Sequence, residues 1–226
     1  MQPDTIVRIY SMSKVITSVA VLQLFEEGRF ALDEPVTRFI PELRNLKVCT
    51  GGTVENPTLA EAKKPITIKH LLTHTAGFAY DFSAKEPVRQ LYLKADLLEA
   101  PSLKEFIQRL ARLPLVQQPG EAFNYGVNTD VLGYLVEVVS GQPLEDYLRD
   151  HISEGFGLGG SVRIDLARGN ALGSVGQFGW SGAATTAFNI DPKEKTVALL
   201  ITQHLPNNQH GIVAKFYTLF YQSLVD

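Results

Sequence analysis

Cysteine is almost missing from this chain: Cys49 is the only one in 226 residues. A single thiol closes no disulfide within the chain and builds no thiolate metal cluster, which excludes the disulfide-stapled scaffolds and the cysteine-based zinc folds. Cationic excess is missing too. Lysine and arginine number 21 against 24 aspartates and glutamates, a formal net charge of −3. Nothing in that balance releases counterions from a phosphate backbone, so nucleic acid is not an expected partner. Long apolar runs are also absent. The longest, Val15 to Phe25, is broken by Thr17, Ser18 and Gln23 and is too short to span a bilayer, so no membrane partner is expected. The start, Met1 to Arg8, contains Pro3 and Asp4 and lacks the apolar stretch of a secretory signal, which leaves the cytoplasm as the default compartment.

What remains is an ordinary globular composition, 45% hydrophobic and 20% charged, with enough residues for one domain and a real core. Residues 11–27 read as a mostly buried helix, with Val15, Ile16, Val19, Ala20, Leu22, Leu24 and Phe25 inside and Gly28 as the stop. Pro35 and Pro41 break residues 32–43 into short helical turns, and 47–64 reads as an irregular surface loop. Helices are predicted after Thr67 and ending at Gly77, in two segments over 84–113 with Ser102 capping the second, over 129–140, and over 143–151. Beyond Gly160 the pattern turns strand-like over 161–165, 177–190 and 196–203, a three-strand antiparallel meander. The last stretch, 211–225, returns to helix with Val213, Phe216, Leu219 and Phe220 on one face. Helices, then strands, then a closing helix describe an α+β or layered α/β fold rather than a doubly wound parallel sheet.

The chemistry starts at Ser11-Met12-Ser13-Lys14. An i, i+3 spacing at a helix start puts the hydroxyl and the ammonium on one face, and the helix N-terminus adds free N–H groups and partial positive charge. A serine hydroxyl is a weak nucleophile until a base takes its proton, and a lysine with a lowered pKa is one such base. Alone the motif is common, and an N-cap serine with an unrelated lysine reads the same way. Two further segments add to it. Phe123-Asn124-Tyr125-Gly126 lies on a loop leading into a helix, where Tyr125 is a candidate general base or a packing tyrosine against Phe123. Phe178-Gly179-Trp180-Ser181-Gly182-Ala183 lies on a strand whose small residues admit a substrate, or else it is a glycine-bulged core strand.

Taken with ITIKHLLTHTAGF, FNYGVNTDVLGYLVEVVSG, FGLGGSVRID and GWSGAATTAFNIDPKEKTVALLITQ, these residues resemble the serine β-lactamase and penicillin-binding-protein superfamily. Within it, the chain looks most like class C-like (family VIII) carboxylesterases and the fungal acyltransferases that esterify statin-type alcohols. The resemblance implies a β-lactamase/transpeptidase-like fold: one domain over 1–226, with a helical subdomain over 29–150 and a sheet with closing helix over 155–226. It implies Ser11 as nucleophile, Lys14 and Tyr125 as its activating pair, and the N–H groups of Ser11 and Ala183 as oxyanion donors. Trp180, Ser181 and Gly182 would line the substrate, and Asp130 would support the site. No metal and no organic cofactor is implied.

Departures from the family pattern narrow the substrate. β-Lactamases and penicillin-binding proteins carry Lys-Thr-Gly where this chain has Trp180-Ser181-Gly182. A charge-assisted contact is worth about 1.5–3 kcal/mol, so its loss disfavours anionic substrates roughly tenfold or more. Tryptophan offers an apolar wall instead. Val127 stands where class C enzymes place an amide-bearing asparagine, and Asn128 comes one residue late. The expectation is therefore a small-molecule ester, cleaved through an acyl-enzyme, with acyl transfer as a second outcome. A β-lactamase or D,D-peptidase, and a non-catalytic binding or scaffold protein, stay open as alternatives. Members of the superfamily usually carry two strands and a helix before the Ser-x-x-Lys, whereas ten residues precede it here. A sheet without its N-terminal strands is expected, with an edge that a second protomer could cover, which leaves a homo-oligomer open.

Two weaker signals are set aside. Gly155 to Gly160 matches a bare Gly-x-Gly-x-x-Gly, but helix precedes it and strand follows, the wrong context for a dinucleotide. His70 and His74 are spaced i, i+4 like zinc ligands but lack a third ligand, and a structural turn is expected there.

Overall fold

A computed structural model describes residues 8–80, 87–151, 161–163 and 172–224. The chain divides into two compact units, Thr17–Phe156 and a second made of Met1–Ile16 with Gly157–Asp226. The division falls inside the first helix, α1 (Ser13–Glu26).

The unit Thr17–Phe156 is helical around one apolar core. It adds a hairpin of β1 (Lys47–Gly52) and β2 (Pro57–Glu61), then α2 (Ile68–Leu72), α3 (Pro87–Lys94), α4 (Leu103–Leu110), α5 (Asn128–Ser140) and α6 (Leu144–His151). Ala20, Val21 and Leu24 of α1 meet Ile68 and Leu71 of α2, Ile107 and Leu110 of α4, and Val131, Leu132, Leu135 and Val136 of α5 in that core. Each large apolar side chain so buried is worth about 1.5–3 kcal/mol. Helix α5 sits against α2, α4 and α6. Gly133 lets two of them close in, since a Cβ there would stand 3.0 Å from Leu144 and 3.4 Å from Leu103. Ser102 caps α4 by accepting from Glu105 N–H, and Gly141 ends α5 in the left-handed region at φ +75°, as expected from the sequence.

Several expectations are corrected in this unit. Phe25 is exposed rather than buried, since it falls off the packed face that Val21 and Leu24 share. Residues 47–64 are not an irregular loop. They form the β1–β2 hairpin, and its first strand is held by Leu115, whose C=O accepts from Cys49 N–H at 2.8 Å and whose N–H donates to Lys47 C=O at 2.7 Å. That third partner lies more than sixty residues on, invisible to a local pattern diluted by Gly51, Gly52 and Pro57. Helix α2 ends at Leu72 rather than Gly77, because His74 turns the chain through the left-handed region at φ 53°.

The other unit carries the antiparallel sheet β3 (Ser161–Val162), β4 (Phe178–Gly182), β5 (Thr186–Asp191) and β6 (Thr196–Leu200), in that spatial order, and α7 (Ile212–Gln222). Among the described residues the sheet has four strands rather than three. Residues 177–190 fold back on themselves: Thr185 adopts φ 61° and its N–H closes on Gly182 C=O, which makes β4 and β5 a hairpin. Trp180 pairs with Phe188 and Ser181 with Ala187. The closing helix is also not packed as its pattern suggests, because no residue of α7 is fully buried and Leu219 is 67% exposed. A polar contact ties it down instead: Tyr221 Oη donates to buried Asp191 Oδ2 at 2.6 Å. No helix among the described residues is long and apolar enough to cross a membrane. The glycine run 155–160 lies outside the described residues.

Candidate active site

Ser11 sits in a single 3-10 turn, Tyr10–Met12, that leads directly into α1. Lys14 Nζ donates to Ser11 Oγ at 3.4 Å, so the expected juxtaposition of hydroxyl and ammonium is made. The turn is strained. Tyr10, immediately before Ser11, has φ 49°, a left-handed conformation that costs a non-glycine residue about 1–3 kcal/mol and persists only where surroundings enforce it.

The enforcing contacts come from within the same unit. Ile9 C=O accepts from Met12 N–H at 3.1 Å and from Thr186 Oγ1 at 3.4 Å, and Arg8 C=O accepts from Gln203 Nε2 at 3.1 Å. Gly182 completes the fit, because a Cβ there would lie closer than 3.0 Å to both Ile9 C=O and Thr186 Oγ1. The glycine at the end of β4 is therefore the close backbone approach that seats the serine turn against the β4–β5 hairpin. Ala183, the next residue, is exposed at the tip of that hairpin. Ser181 is exposed and Trp180 half-buried along β4. Ser11, Lys14 and the segment 180–183 thus belong to one unit.

Tyr125 and Asp130 belong to the other unit, and a residue not singled out from the sequence links them. The Tyr80 ring lies 5.3 Å from that of Tyr125, and its hydroxyl donates to Asp130 Oδ2 at 3.2 Å. The expected partner Phe123 is instead 63% exposed and meets His74 edge-on at 5.9 Å. Tyr125 packs on His74 itself, ring centroids 4.9 Å apart.

The backbone around Tyr125 is held by Asn124. Its N–H donates to His74 C=O at 2.8 Å, its Nδ2 to Phe78 C=O at 2.5 Å, and its Oδ1 accepts from Arg89 at 2.9 Å. Arg89 also donates to Tyr80 C=O at 3.3 Å. Gly126 leaves no room for a Cβ against Phe78 C=O and Ala79. Arg89, Asn124 and Tyr80 were missed because each acts across tens of residues. Only the unusual FNYG run marked the place. Val127 is buried, and Asn128 is turned inward with its amide on His74 rather than offered to a ligand.

The two histidines each have a structural partner. His70 Nδ1 accepts from Thr67 N–H while Thr67 Oγ1 accepts from His70 N–H, a reciprocal capping box at the start of α2. Burial and the charges of Lys64 and Lys69 push the His70 imidazole below its usual range, against an opposing pull from Asp33.

Residues 1–161 match the family model described as Beta-lactamase. The chain belongs to the β-lactamase family. Among relatives, this β-lactamase-family chain is 40% identical over 153 residues to acyltransferase mokF of Monascus pilosus, covering 67% of this chain and 36% of that protein. It is 39% identical over 150 residues to esterase EstB of Burkholderia gladioli, covering 64% of this chain and 35% of that one. The chain thus spans little more than a third of the length of these curated relatives. Among solved structures it is similar to unliganded simvastatin synthase (LovD) from Aspergillus terreus, with a TM-score of 0.81, 22% identity, and coverage of 99% of this chain and 85% of that chain. At that identity the likeness shows the β-lactamase/transpeptidase-like fold.

Proposed function

We propose that this chain carries the catalytic machinery of a serine esterase or acyltransferase. Ser11 attacks the ester carbonyl and Lys14 takes part in removing its proton, with Tyr125 assigned as general base. The N–H groups of Ser11 and Ala183 are assigned to the oxyanion. The tetrahedral intermediate collapses with cleavage of the ester C–O bond, the base returning its proton to the departing alcohol; water then releases the acyl group as acid, or a second alcohol carries it away as a new ester. The observation that carries this reading is the 3.4 Å contact between Lys14 Nζ and Ser11 Oγ on a strained turn. Relatives named esterase and acyltransferase support it. Trp180 supports a neutral ester over a β-lactam, since an indole provides no charge for a substrate carboxylate.

The test is hydrolysis of p-nitrophenyl acetate and butyrate, with Ser11→Ala as control and fluorophosphonate labelling alongside. Turnover and labelling that both vanish in Ser11→Ala support the assignment. Equal rates for wild type and Ser11→Ala remove it, and nitrocefin turnover exceeding ester turnover replaces it with a β-lactamase.

A further inference from the structure

Two rings, those of His74 and Tyr80, pack on Tyr125 within one unit, and each meets a polar side chain of that unit, Asn128 and Asp130. His74 holds φ 53°, a conformation that glycine or asparagine would occupy more easily. Its ring lies 4.9 Å from the Tyr125 ring at 37°. Its Nδ1 stands 3.0 Å from Asn128 Nδ2. The contact ties the imidazole to the Asn128 amide by one hydrogen bond. Asn128 is completely buried. A histidine in the left-handed region, bonded to a fully buried asparagine, fixes the imidazole in one place beside the Tyr125 ring.

The same histidine also holds the loop, because its C=O accepts from Asn124 N–H, one residue before Tyr125. Tyr80 adds the other ring contact at 5.3 Å and is itself oriented by its bond to Asp130. The backbone of residues 124–126 is thereby fixed by hydrogen bonds and close packing, and the ring of residue 125 by two aromatic neighbours that are each tethered.

We propose that His74 is a positioning residue for Tyr125: an imidazole fixed by Asn128 which, together with the Asp130-tethered Tyr80 ring, keeps the phenol in one orientation. This rests on the reading of Tyr125 as general base. Asp130 then acts through Tyr80, and His74 is more than the turn residue its motif suggests.

The decisive variant is His74→Asn, because asparagine accepts a positive φ and so spares the backbone while removing the ring. It is compared with wild type in thermal melting, in kcat and KM for p-nitrophenyl butyrate, and in fluorophosphonate labelling. The expected result is a folded protein with KM within about twofold and kcat lower by about tenfold to a hundredfold, the scale on which a misplaced catalytic group acts. A folded His74→Asn with wild-type kcat overturns the proposal, as does a loss confined to KM. If His74→Asn does not fold, His74→Phe is read instead, since it keeps a ring but cannot hydrogen-bond Asn128. A severalfold fall in kcat at unchanged KM supports the proposal, and wild-type kcat overturns it. Ser11→Ala separates the two claims: if it is inactive while His74→Asn is fully active, the positioning role alone fails. If Ser11→Ala is as active as wild type, the catalytic reading fails first.

Discussion

Replacing Gly182 with alanine puts a methyl group into space already taken. The new Cβ would lie closer than 3.0 Å to Ile9 C=O, a backbone atom, and to Thr186 Oγ1, on a threonine with no exposed surface. Ordinary contact needs 3.4 Å or more, so the backbone at Ile9 and the Thr186 hydroxyl must each give way by about 1 Å. The threonine has little freedom: it is buried on β5 and its hydroxyl already donates to Ile9 C=O. The 3-10 turn is the softer element, because it is short and already strained at Tyr10. Overpacking of this kind costs about 1–3 kcal/mol, and each kcal/mol lowers Tm by about 2–4 °C in a protein of this size. Displacing the Ser11 turn by about 1 Å would cost about a hundredfold in kcat/KM. The assay is ester hydrolysis with a thermal melt on the same preparation. Gly141→Ala serves as control: it forces alanine into a positive φ, a penalty that Gly182→Ala does not carry, but nothing lies within 4 Å of its Cβ. It should lose about 1 kcal/mol and keep its activity. A Gly182→Ala protein with wild-type kcat/KM would refute the argument that this glycine seats the nucleophile.

Three further outcomes are expected. Trp180→Lys should raise kcat/KM for a carboxylate-bearing p-nitrophenyl ester about tenfold relative to p-nitrophenyl butyrate, and an unchanged ratio would count against residue 180 facing the substrate. Burial pushes the Asp191 carboxyl up, but bonds from Tyr221, from Glu194 N–H, from Ser174 and from Lys193 N–H outweigh it and hold the group below the usual carboxylate range. Its folded pKa is thus depressed, so its stabilisation is complete above the unfolded value near pH 4 and is lost as pH falls through the folded one; Asp191→Asn should flatten that acid limb of Tm against pH. His70 is also depressed, chiefly by burial and then by Lys64, so the unfolded chain takes up its proton first and stability falls as pH drops below about 6.5. Protonation also removes the acceptor that holds Thr67 N–H, and His70→Gln, which can keep a capping box without titrating, should flatten this step in Tm.

Periodicity, capping residues and turn residues were enough to read much of the chain. Local bonding decides where Ser102 caps α4, where Gly141 stops α5 and where Asp191 begins the turn into β6, and local bonding is written in neighbouring residues. The β1–β2 hairpin was not legible, because its order depends on Leu115. Neither was the turn that splits residues 177–190 into two strands, since nothing in the side chain of Thr185 announces a left-handed residue. The polar anchoring of α7 was hidden for a similar reason: an amphipathic pattern shows which face could be buried, not whether a partner covers it.

The same division runs through the candidate site. The types and spacing of Ser11 and Lys14 were enough to bring the hydroxyl and the ammonium together, because three residues of helical chain leave them few other places to be. The absence of a lysine at Trp180 was equally plain. Only the tertiary structure decided what holds these groups in place: Gly182 against Ile9, and His74, Tyr80, Asn124 and Arg89 around Tyr125. Those supports join segments tens to well over a hundred residues apart, and each is a matter of atoms meeting within a fraction of an ångström. A residue's identity sets what chemistry it can perform, while close packing of distant segments sets whether it is held where that chemistry can happen.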